Sequence, residues 1–172
     1  MSRDMPTPEF ILAMREKIGH EQLWLTGITA VVQRGDDQVL LVRQADTGRW
    51  TCVAGIIDPG EEPADAAERE ILEEAGIVAM AERLVWVHVL PPTEWENGDR
   101  AQFLDLVFRC RHMSGDPEPV DGENTDARWF GLDELPTDLP ASHRRRIEVA
   151  LDDAPETLFE RLGPPPPTAP GA

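Results

Sequence analysis

The chain has 172 residues, a formal net charge of −17 and two cysteines. That length fits one domain with a substantial core, and two cysteines are too few to indicate a disulfide framework. An acidic surface repels phosphate backbones, which argues against long DNA or RNA as a partner. There is no apolar run long enough to span a bilayer and no signal-peptide pattern at the N-terminus, so we expect a cytoplasmic protein without a membrane partner.

The first half of the chain predicts a helix, a hairpin, a third strand, a loop and a second helix. Apolar residues recur at helical spacing in the opening segment, and turn residues at 35–37 separate the two strands of the hairpin. Pro63 suits the first position of the second helix, and Gly76 suits the position after its end. In chain order the predicted ranges are helix 8–20, strands 25–33, 39–43 and 50–53, loop 55–62 and helix 63–75.

The second half predicts strands separated by two irregular loops, then a helix and a tail. The ranges are strand 84–90, a loop at 91–100, strand 101–111, an acidic loop at 114–126, strand 128–130, helix 140–153 and a proline-rich tail at 163–172. The tail cannot pack a core, and we expect it to be disordered or polyproline-like. Strands and helices interleave, but the crossovers are too few for a doubly wound sheet. We therefore predict a mixed β-sheet covered by helices on both faces.

Acidic residues cluster on the predicted helix 63–75. Glu70 and Glu74 are four residues apart and Glu73 is three from Glu70, so the three carboxylates share one region of the helix surface. Like charges at these spacings destabilise a helix by about 0.2–0.5 kcal/mol per pair. Arg69 can pair with Glu73 but cannot neutralise all three. The cluster is either a solvated acidic face or a site for a hard divalent cation such as Mg²⁺, which prefers carboxylate oxygens and substrate phosphates.

The segment 55–77, GIIDPGEEPADAAEREILEEAGI, resembles the box of the Nudix hydrolase family, G-x5-E-x7-R-E-U-x-E-E-x-G-U, where U is a bulky apolar residue. All nine defined positions match: Gly55, Glu61, Arg69, Glu70, Ile71, Glu73, Glu74, Gly76 and Ile77. The predicted order of strand, loop and helix is the context that the motif requires. The hairpin before the box and the segment WFGLDELP at 129–136 resemble the family more loosely.

The resemblance implies an α/β/α sandwich with a mixed β-sheet and a divalent-metal site for Mg²⁺ or Mn²⁺. Glu70, Glu73 and Glu74 would bind the metal or act on the attacking water, and Arg69 would orient them while Glu61 holds the loop. The backbone carbonyl of Ala54, directly before the box, would be a further ligand.

The implied reaction is attack of water on a phosphorus atom, where the cation lowers the pKa of the water and neutralises charge on the phosphate oxygens. One carboxylate must act as the base. Family members differ over which it is, and here the candidates are Glu70 and an acid of the loop 114–126. Within that loop the resemblance favours Glu123, because it precedes the strand that contains Trp129 at a distance similar to that in the family.

Residues that would choose the substrate are less well marked. Trp95 in the loop 91–100 is the preferred residue for stacking on a base, and Arg43 is a candidate phosphate contact. Pro92 resembles a proline of ADP-ribose pyrophosphatases, whereas the SQPWPFP-like array of NADH pyrophosphatases is absent. We expect a small nucleotide-like pyrophosphate, either a nucleoside diphosphate derivative or a nucleoside triphosphate. The resemblance leaves a homodimer open.

Two other functions fit parts of the sequence. A nucleotide-sensing module without turnover shares the fold, although such modules usually have a broken box. An isopentenyl diphosphate isomerase uses a cysteine in a C-x-G-H-P-like stretch, and Cys52 here is followed by no histidine at that spacing. We divide the chain into an N-terminal helical extension (1–22), a Nudix domain (23–162) and the tail (163–172).

Overall fold

The protein is described by a computed structural model that covers residues 7–120 and 122–163. Within these ranges, nine strands form one mixed sheet, and three helices pack on it. The elements in chain order are α1 (Glu9–Ile18), β1 (Leu23–Arg34), β2 (Gln38–Gln44), β3 (Trp50–Thr51), β4 (Val53–Ile56), α2 (Pro63–Ala75), β5 (Val78–Val89), β6 (Thr93–Glu94), β7 (Arg100–Ser114), β8 (Asn124–Gly131), α3 (Ala141–Leu151) and β9 (Leu158–Phe159). None of the helices in the described residues is long and apolar enough to cross a membrane.

The sheet is built around two long strands, β1 and β7, which run parallel in register from Leu23 opposite Ala101 to Gln33 opposite Arg111. On one side of this pair, β5 runs antiparallel to β7. On the other side, β2 and β4 both run antiparallel to β1. The short strand β4 therefore places the start of the predicted box against the middle of the sheet.

Side chains of β1 alternate between two apolar layers. Ile28, Ala30 and Val32 belong to the layer that α2 covers with Ile71 and other apolar residues, which we call the α2 layer. Val31 lies in the opposite layer, which α3 covers. This period of two is what a strand buried on both faces requires. The arrangement is the α/β/α sandwich with a mixed β-sheet expected from the sequence.

The first helix covers one end of the sheet. Ile11 of α1 is buried against Leu23 and Leu25 of β1 and Ala101 of β7. Arg15 fixes the helix further, because its guanidinium donates to the carbonyl of Arg100 at 2.8 Å. The expected helical extension is thus packed on the sheet.

A charged network is buried beneath α3. Arg146 donates to Asp105 Oδ2 from Nε at 2.9 Å and from Nη2 at 2.7 Å, and Thr29 donates to Asp105 Oδ1 at 2.9 Å. His88 Nε2 lies 2.9 Å from the same carboxylate. Although burial raises the pKa of Asp105, the hydrogen bonds and the Arg146 charge outweigh it, and the net pKa lies below its usual value. Removing either partner of such a pair strongly destabilises a fold, so this network fixes α3 on the sheet.

The predicted elements are found, with differences at their ends. The predicted strand 50–53 is two short strands, and the second continues to Ile56, so the first two box residues lie in a strand rather than a loop. The strand predicted at 84–90 begins at Val78, and the one predicted at 128–130 begins at Asn124, because the backbone of these earlier residues pairs with neighbouring strands. The strands β6 and β9 were not predicted, since two residues give no periodicity. Apart from Gly163, the predicted tail lies outside the described residues.

Candidate active site

The helix α2 presents the site on a rigid element. Pro63 occupies its first turn, and Gly76 ends it in the left-handed conformation at φ 66°, where its N–H donates to the Leu72 carbonyl. Glycine suits that position because it has no Cβ to clash. The buried side of the helix is fixed by the α2 layer, so the remaining side carries charged residues toward β4 and the loop before the helix.

Arg69 joins the loop to the helix. Its Nε and Nη2 donate to the two oxygens of Glu61 at 2.8 and 3.0 Å, and Nη2 also donates to the Ile56 carbonyl at 3.2 Å. Its Nη1 donates to Glu70 at 2.8 Å and to Glu73 at 3.1 Å. The two-pronged bond lowers the pKa of Glu61 below its usual value, as expected for bidentate pairing. One guanidinium therefore holds three carboxylates and the loop backbone.

Gly55 leaves the space that Glu70 fills. A Cβ on Gly55 would stand 2.0 Å from Glu70 Cδ and 2.1 Å from its Oε1, where no real side chain fits. Glycine at this position therefore has a direct structural reason, since the Glu70 carboxylate lies against the bare backbone of β4. Burial raises the pKa of Glu70 to about 7, with Glu73 and Glu123 adding to the rise and Arg69 opposing it.

Glu74 faces into the structure, between β4 and β8. It is 6% exposed, and its oxygens accept from the Ala54 N–H at 3.3 Å and from Asn124 Nδ2 at 2.9 Å. An ionised carboxylate has about four acceptor positions. These two donors orient the Glu74 carboxylate between β4 and β8.

The backbone of Ala54 points toward Glu74 rather than into the sheet. Ala54 lies opposite Thr29 of β1, yet its N–H donates to Glu74. In an antiparallel pair the N–H and C=O of one residue point to the same side. The Ala54 carbonyl is thus on the side of β4 that faces away from β1, and its role as a metal ligand stays a prediction.

The donor chemistry around Glu70 fits a hard divalent cation. Carboxylates and a backbone carbonyl are the ligands that Mg²⁺ and Mn²⁺ take, and Gly55 leaves a cradle in which one of these carboxylates is packed. In residues 7–120 and 122–163, however, no three His, Cys, Asp or Glu side chains already form a metal-holding group. Arg69 donates to one oxygen of Glu70 and to one oxygen of Glu73, and an ionised carboxylate has about four acceptor positions.

The other predicted site residues lie at different places relative to the carboxylates of α2. Glu123 is near the cluster, because its charge contributes to the raised pKa of Glu70, and its backbone carbonyl accepts from the Ala45 N–H at 2.9 Å. Arg43 lies two residues before Ala45 and donates from Nε to the Gly48 carbonyl. Trp95 is 40% exposed in the β6–β7 hairpin, with its ring edge-on to Phe103. The structure records no contact between Trp95 and the carboxylates in the part of the chain that it describes.

Asn124 is a site residue that sequence reasoning missed. It is buried, and its amide orients Glu74 across 50 residues of chain. Its only sequence signal is that it follows Glu123 at the end of an acidic loop. A single amide there is indistinguishable from ordinary turn chemistry.

Similarity to known proteins extends over most of the chain. Residues 24–150 match the family model described as NUDIX domain. The chain is 32% identical over 127 residues to a MutT-like protein of Streptomyces ambofaciens, covering 74% of this chain and 77% of that protein. It is 35% identical over 143 residues to the NAD-capped RNA hydrolase NudC of Pseudomonas syringae pv. tomato, covering 82% of this chain and 46% of that protein. The chain therefore spans about half the length of that second relative.

Among solved structures, a NUDIX hydrolase from Nitrosomonas europaea superposes with a TM-score of 0.60 at 27% identity, covering 73% of this chain and 87% of that one. The same sheet and helix arrangement is thus found in a solved NUDIX hydrolase.

Proposed function

Because this chain belongs to the Nudix hydrolase family, we propose that it cleaves a phosphoanhydride bond in a small nucleoside diphosphate derivative or a nucleoside triphosphate. The observation that carries the proposal is the packing of Glu70 into the space left by Gly55, with Arg69 connecting Glu61, Glu70 and Glu73. An inert acidic face does not need a bare glycine and a shared guanidinium to order it.

A divalent cation is the expected cofactor, with Mg²⁺ or Mn²⁺ as its identity. Glu70, Glu73, Glu74 and the Ala54 carbonyl would hold it. A bound cation supplies charge neutralisation to the diphosphate and a lower pKa to water. Without it, this cluster of carboxylates repels an anionic substrate.

The residues of the chain have distinct proposed roles in the hydrolysis. Arg69 orients the carboxylates and anchors the loop through Glu61. A water molecule attacks phosphorus, the bond to the leaving phosphate oxygen breaks, and a carboxylate accepts the proton of the water. Glu70 and Glu123 are the two candidates for that base. They lie close enough for the charge of Glu123 to raise the pKa of Glu70. Arg43 is the proposed phosphate contact and Trp95 the proposed contact to the group attached to the diphosphate.

The size of the substrate is proposed from charge. A relative is named for NAD-capped RNA, but a chain with net charge −17 opposes approach of a long phosphate backbone. We therefore propose a small substrate. The domain limits at residues 23 and 162 and a homodimer remain proposals of the same kind.

Two coupled assays test the function with purified protein, Mg²⁺ and Mn²⁺. Hydrolysis of an NDP-X compound such as ADP-ribose yields two phosphomonoesters, from which alkaline phosphatase releases phosphate. Hydrolysis of a triphosphate to the monophosphate yields pyrophosphate, which inorganic pyrophosphatase reveals. We expect one of the two signals, and NAD-capped RNA should give neither with comparable efficiency. If neither assay gives a signal across a broad nucleotide panel with either metal, the protein is a nucleotide sensor rather than a hydrolase.

A further inference from the structure

An open groove of about 430 Å³ lies beside the loop between β4 and α2 (57–62), which we call the box loop. We call this groove the α1 groove. Its walls come from α1, the start of β1 and the loop between β4 and α2, and the residues used below are Phe10, Met14, Trp24, Thr26, Ile57 and Asp58. None of the described residues that line the groove is basic. A phosphate group is therefore not its natural occupant.

Trp24 places an exposed indole ring in the groove. Its neighbours Leu23 and Leu25 are buried at 6% and 7% exposure, whereas Trp24 is 58% exposed. An indole with this much surface in water offers a flat apolar face for stacking. Phe10 and Met14 of α1 provide further apolar wall, so the groove suits a planar ring.

The backbone of β1 beside Trp24 faces the box loop. The Thr26 carbonyl accepts from the Ile57 N–H at 3.1 Å, so the backbone groups of Thr26 point toward the box loop. Because this direction alternates along a strand, the backbone groups of Trp24 point the same way. Trp24 therefore directs its backbone to the side of β1 on which the box loop lies.

Asp58 adds a carboxylate to the opposite wall and connects the groove to the site. An ionised carboxylate only accepts hydrogen bonds, so a ring that binds here should carry an N–H donor. Asp58 is three residues after Gly55, a separation that spans at most roughly 10 Å of chain. The groove therefore lies within reach of a group attached to a diphosphate held at Glu70.

We propose that the α1 groove is the subsite for the nucleobase of the substrate, and that it favours a base whose edge presents an N–H donor to Asp58. Trp24 stacks on the ring, and Asp58 accepts from that donor, such as the exocyclic amino group of adenine. The inference rests on the proposed function only for what is attached to the base. It assigns the base to Trp24, which adjoins the box loop, and leaves Trp95 for the other end of the substrate.

Binding without turnover tests this subsite separately from hydrolysis. The probes are AMP and purine riboside 5′-monophosphate, which lacks both the amino group and any ring N–H, titrated in Mg²⁺ with calorimetric detection; neither contains a phosphoanhydride bond to cleave. We expect AMP to bind more tightly than the unsubstituted purine nucleotide. Trp24→Ala should weaken both by on the order of tenfold, the effect of losing one base–aromatic stack, and Trp24→Phe should restore most of the affinity. Asp58→Ala should remove the preference for AMP.

Matched controls are available in the same chain. Phe159→Ala removes another aromatic side chain that is 62% exposed, and Asp153→Ala removes a carboxylate that is 98% exposed; neither should change AMP affinity. The proposal is overturned if AMP does not bind, if Trp24→Ala binds AMP like the wild type, or if only Trp95→Ala weakens it. It is also overturned if Trp24→Ala dissociates a dimer in sedimentation while AMP affinity is unchanged, since the groove would then be a contact between copies. Loss of hydrolysis with intact AMP binding would instead refute the proposed function alone.

Discussion

The three carboxylates of α2 differ in what surrounds them, although they are adjacent in sequence. The Glu73 side chain is 52% exposed and that of Glu70 is 15% exposed, while Glu74 is held by backbone and amide donors. Glu73 can therefore turn toward a cation at little cost. Glu70 and Glu74 are held in place before any ligand arrives.

Substitution of single carboxylates should separate these roles. We expect Glu70→Gln and Glu73→Gln each to lower kcat by about a hundredfold or more with the fold intact, as is typical of lost basic or electrostatic groups. Comparing Glu70→Gln with Glu123→Gln in steady-state assays identifies the base. Glu62→Gln is the control, because Glu62 precedes α2 without a side-chain capping hydrogen bond. An equal loss in Glu62→Gln would contradict the assignment.

Asn124 should matter for stability as well as for orientation. Asn124→Ala removes the amide that donates to the buried Glu74 carboxylate, and loss of such a donor costs about 1–3 kcal/mol of unfolding free energy. Urea titration in EDTA measures it. Thr125→Ala, at the exposed next position of β8, should change stability by about 0.5 kcal/mol or less. Equal stability of the two variants would show that Glu74 does not depend on Asn124.

At the scale of elements, the site is one unit made of β4, the loop and α2. Its tightest point is where the backbone of β4 approaches the side chain of Glu70, and Arg69 spans the loop between them. Packing in the α2 layer fixes the backbones of both the helix and the strand. A larger residue at position 55 would therefore displace the Glu70 side chain.

Gly55→Ala tests that contact. The added Cβ would stand 2.0 Å from the end of the Glu70 side chain, so we expect the Glu70 carboxylate to be displaced and kcat to fall by about a hundredfold or more. Because the end of a flexible side chain can move aside, the fold should remain intact. Gly163→Ala is the matched control, since a Cβ there meets nothing within 4 Å. Near-normal kcat in Gly55→Ala would mean that Glu70 need not occupy this position.

At the scale of the whole molecule, the fold brings buried titratable groups beneath α3. His143 accepts from the Cys52 N–H at 3.2 Å through Nδ1, which requires the neutral ring. Burial, aided by the charge of Arg146 and opposed by that of Asp105, lowers the pKa of His143 from 6.5 to about 4. The same burial raises the pKa of the Cys52 thiol to about 12.

His143 should make the fold sensitive to acid. A lowered pKa in the folded state means that its stabilising contribution is complete above pH 6.5 and is lost as the pH falls from 6.5 through about 4. The unfolded state binds the proton first, so unfolding free energy should fall by up to about 3 kcal/mol over that window. Urea titrations at several pH values measure this, with His143→Asn expected to flatten this part of the profile. An unchanged profile in the variant would assign the acid sensitivity to other groups.

Metal binding should stabilise the whole domain. At a metal concentration one hundred times the dissociation constant, the gain is about 2.7 kcal/mol. Thermal melts with Mg²⁺, with Mn²⁺ and in EDTA check it, and Glu73→Gln should reduce the shift. Melting curves that coincide with and without saturating metal would count against a cation at the carboxylates.

Much of this protein could be predicted from the sequence, because the relevant information is local. Periods of 3.6 and 2 gave the helices and long strands, and Pro63 and Gly76 mark the ends of α2 through backbone chemistry that each residue carries itself. The family followed from nine positions at fixed spacing, and the mixed sandwich followed from the order of the elements. The box also indicated which side chains form the candidate site.

Only the tertiary structure decided what each of these residues contacts. That Glu74 is oriented by Asn124, that Glu70 lies on the bare backbone of Gly55, and that Glu123 affects the pKa of Glu70 all depend on segments distant in sequence. The exposure of Trp24 between two buried leucines was equally hidden, because a strand pattern fixes which face a side chain points to but not whether another element covers that face. Local chemistry determined the motif and the elements, and packing between elements determined the environment of each group.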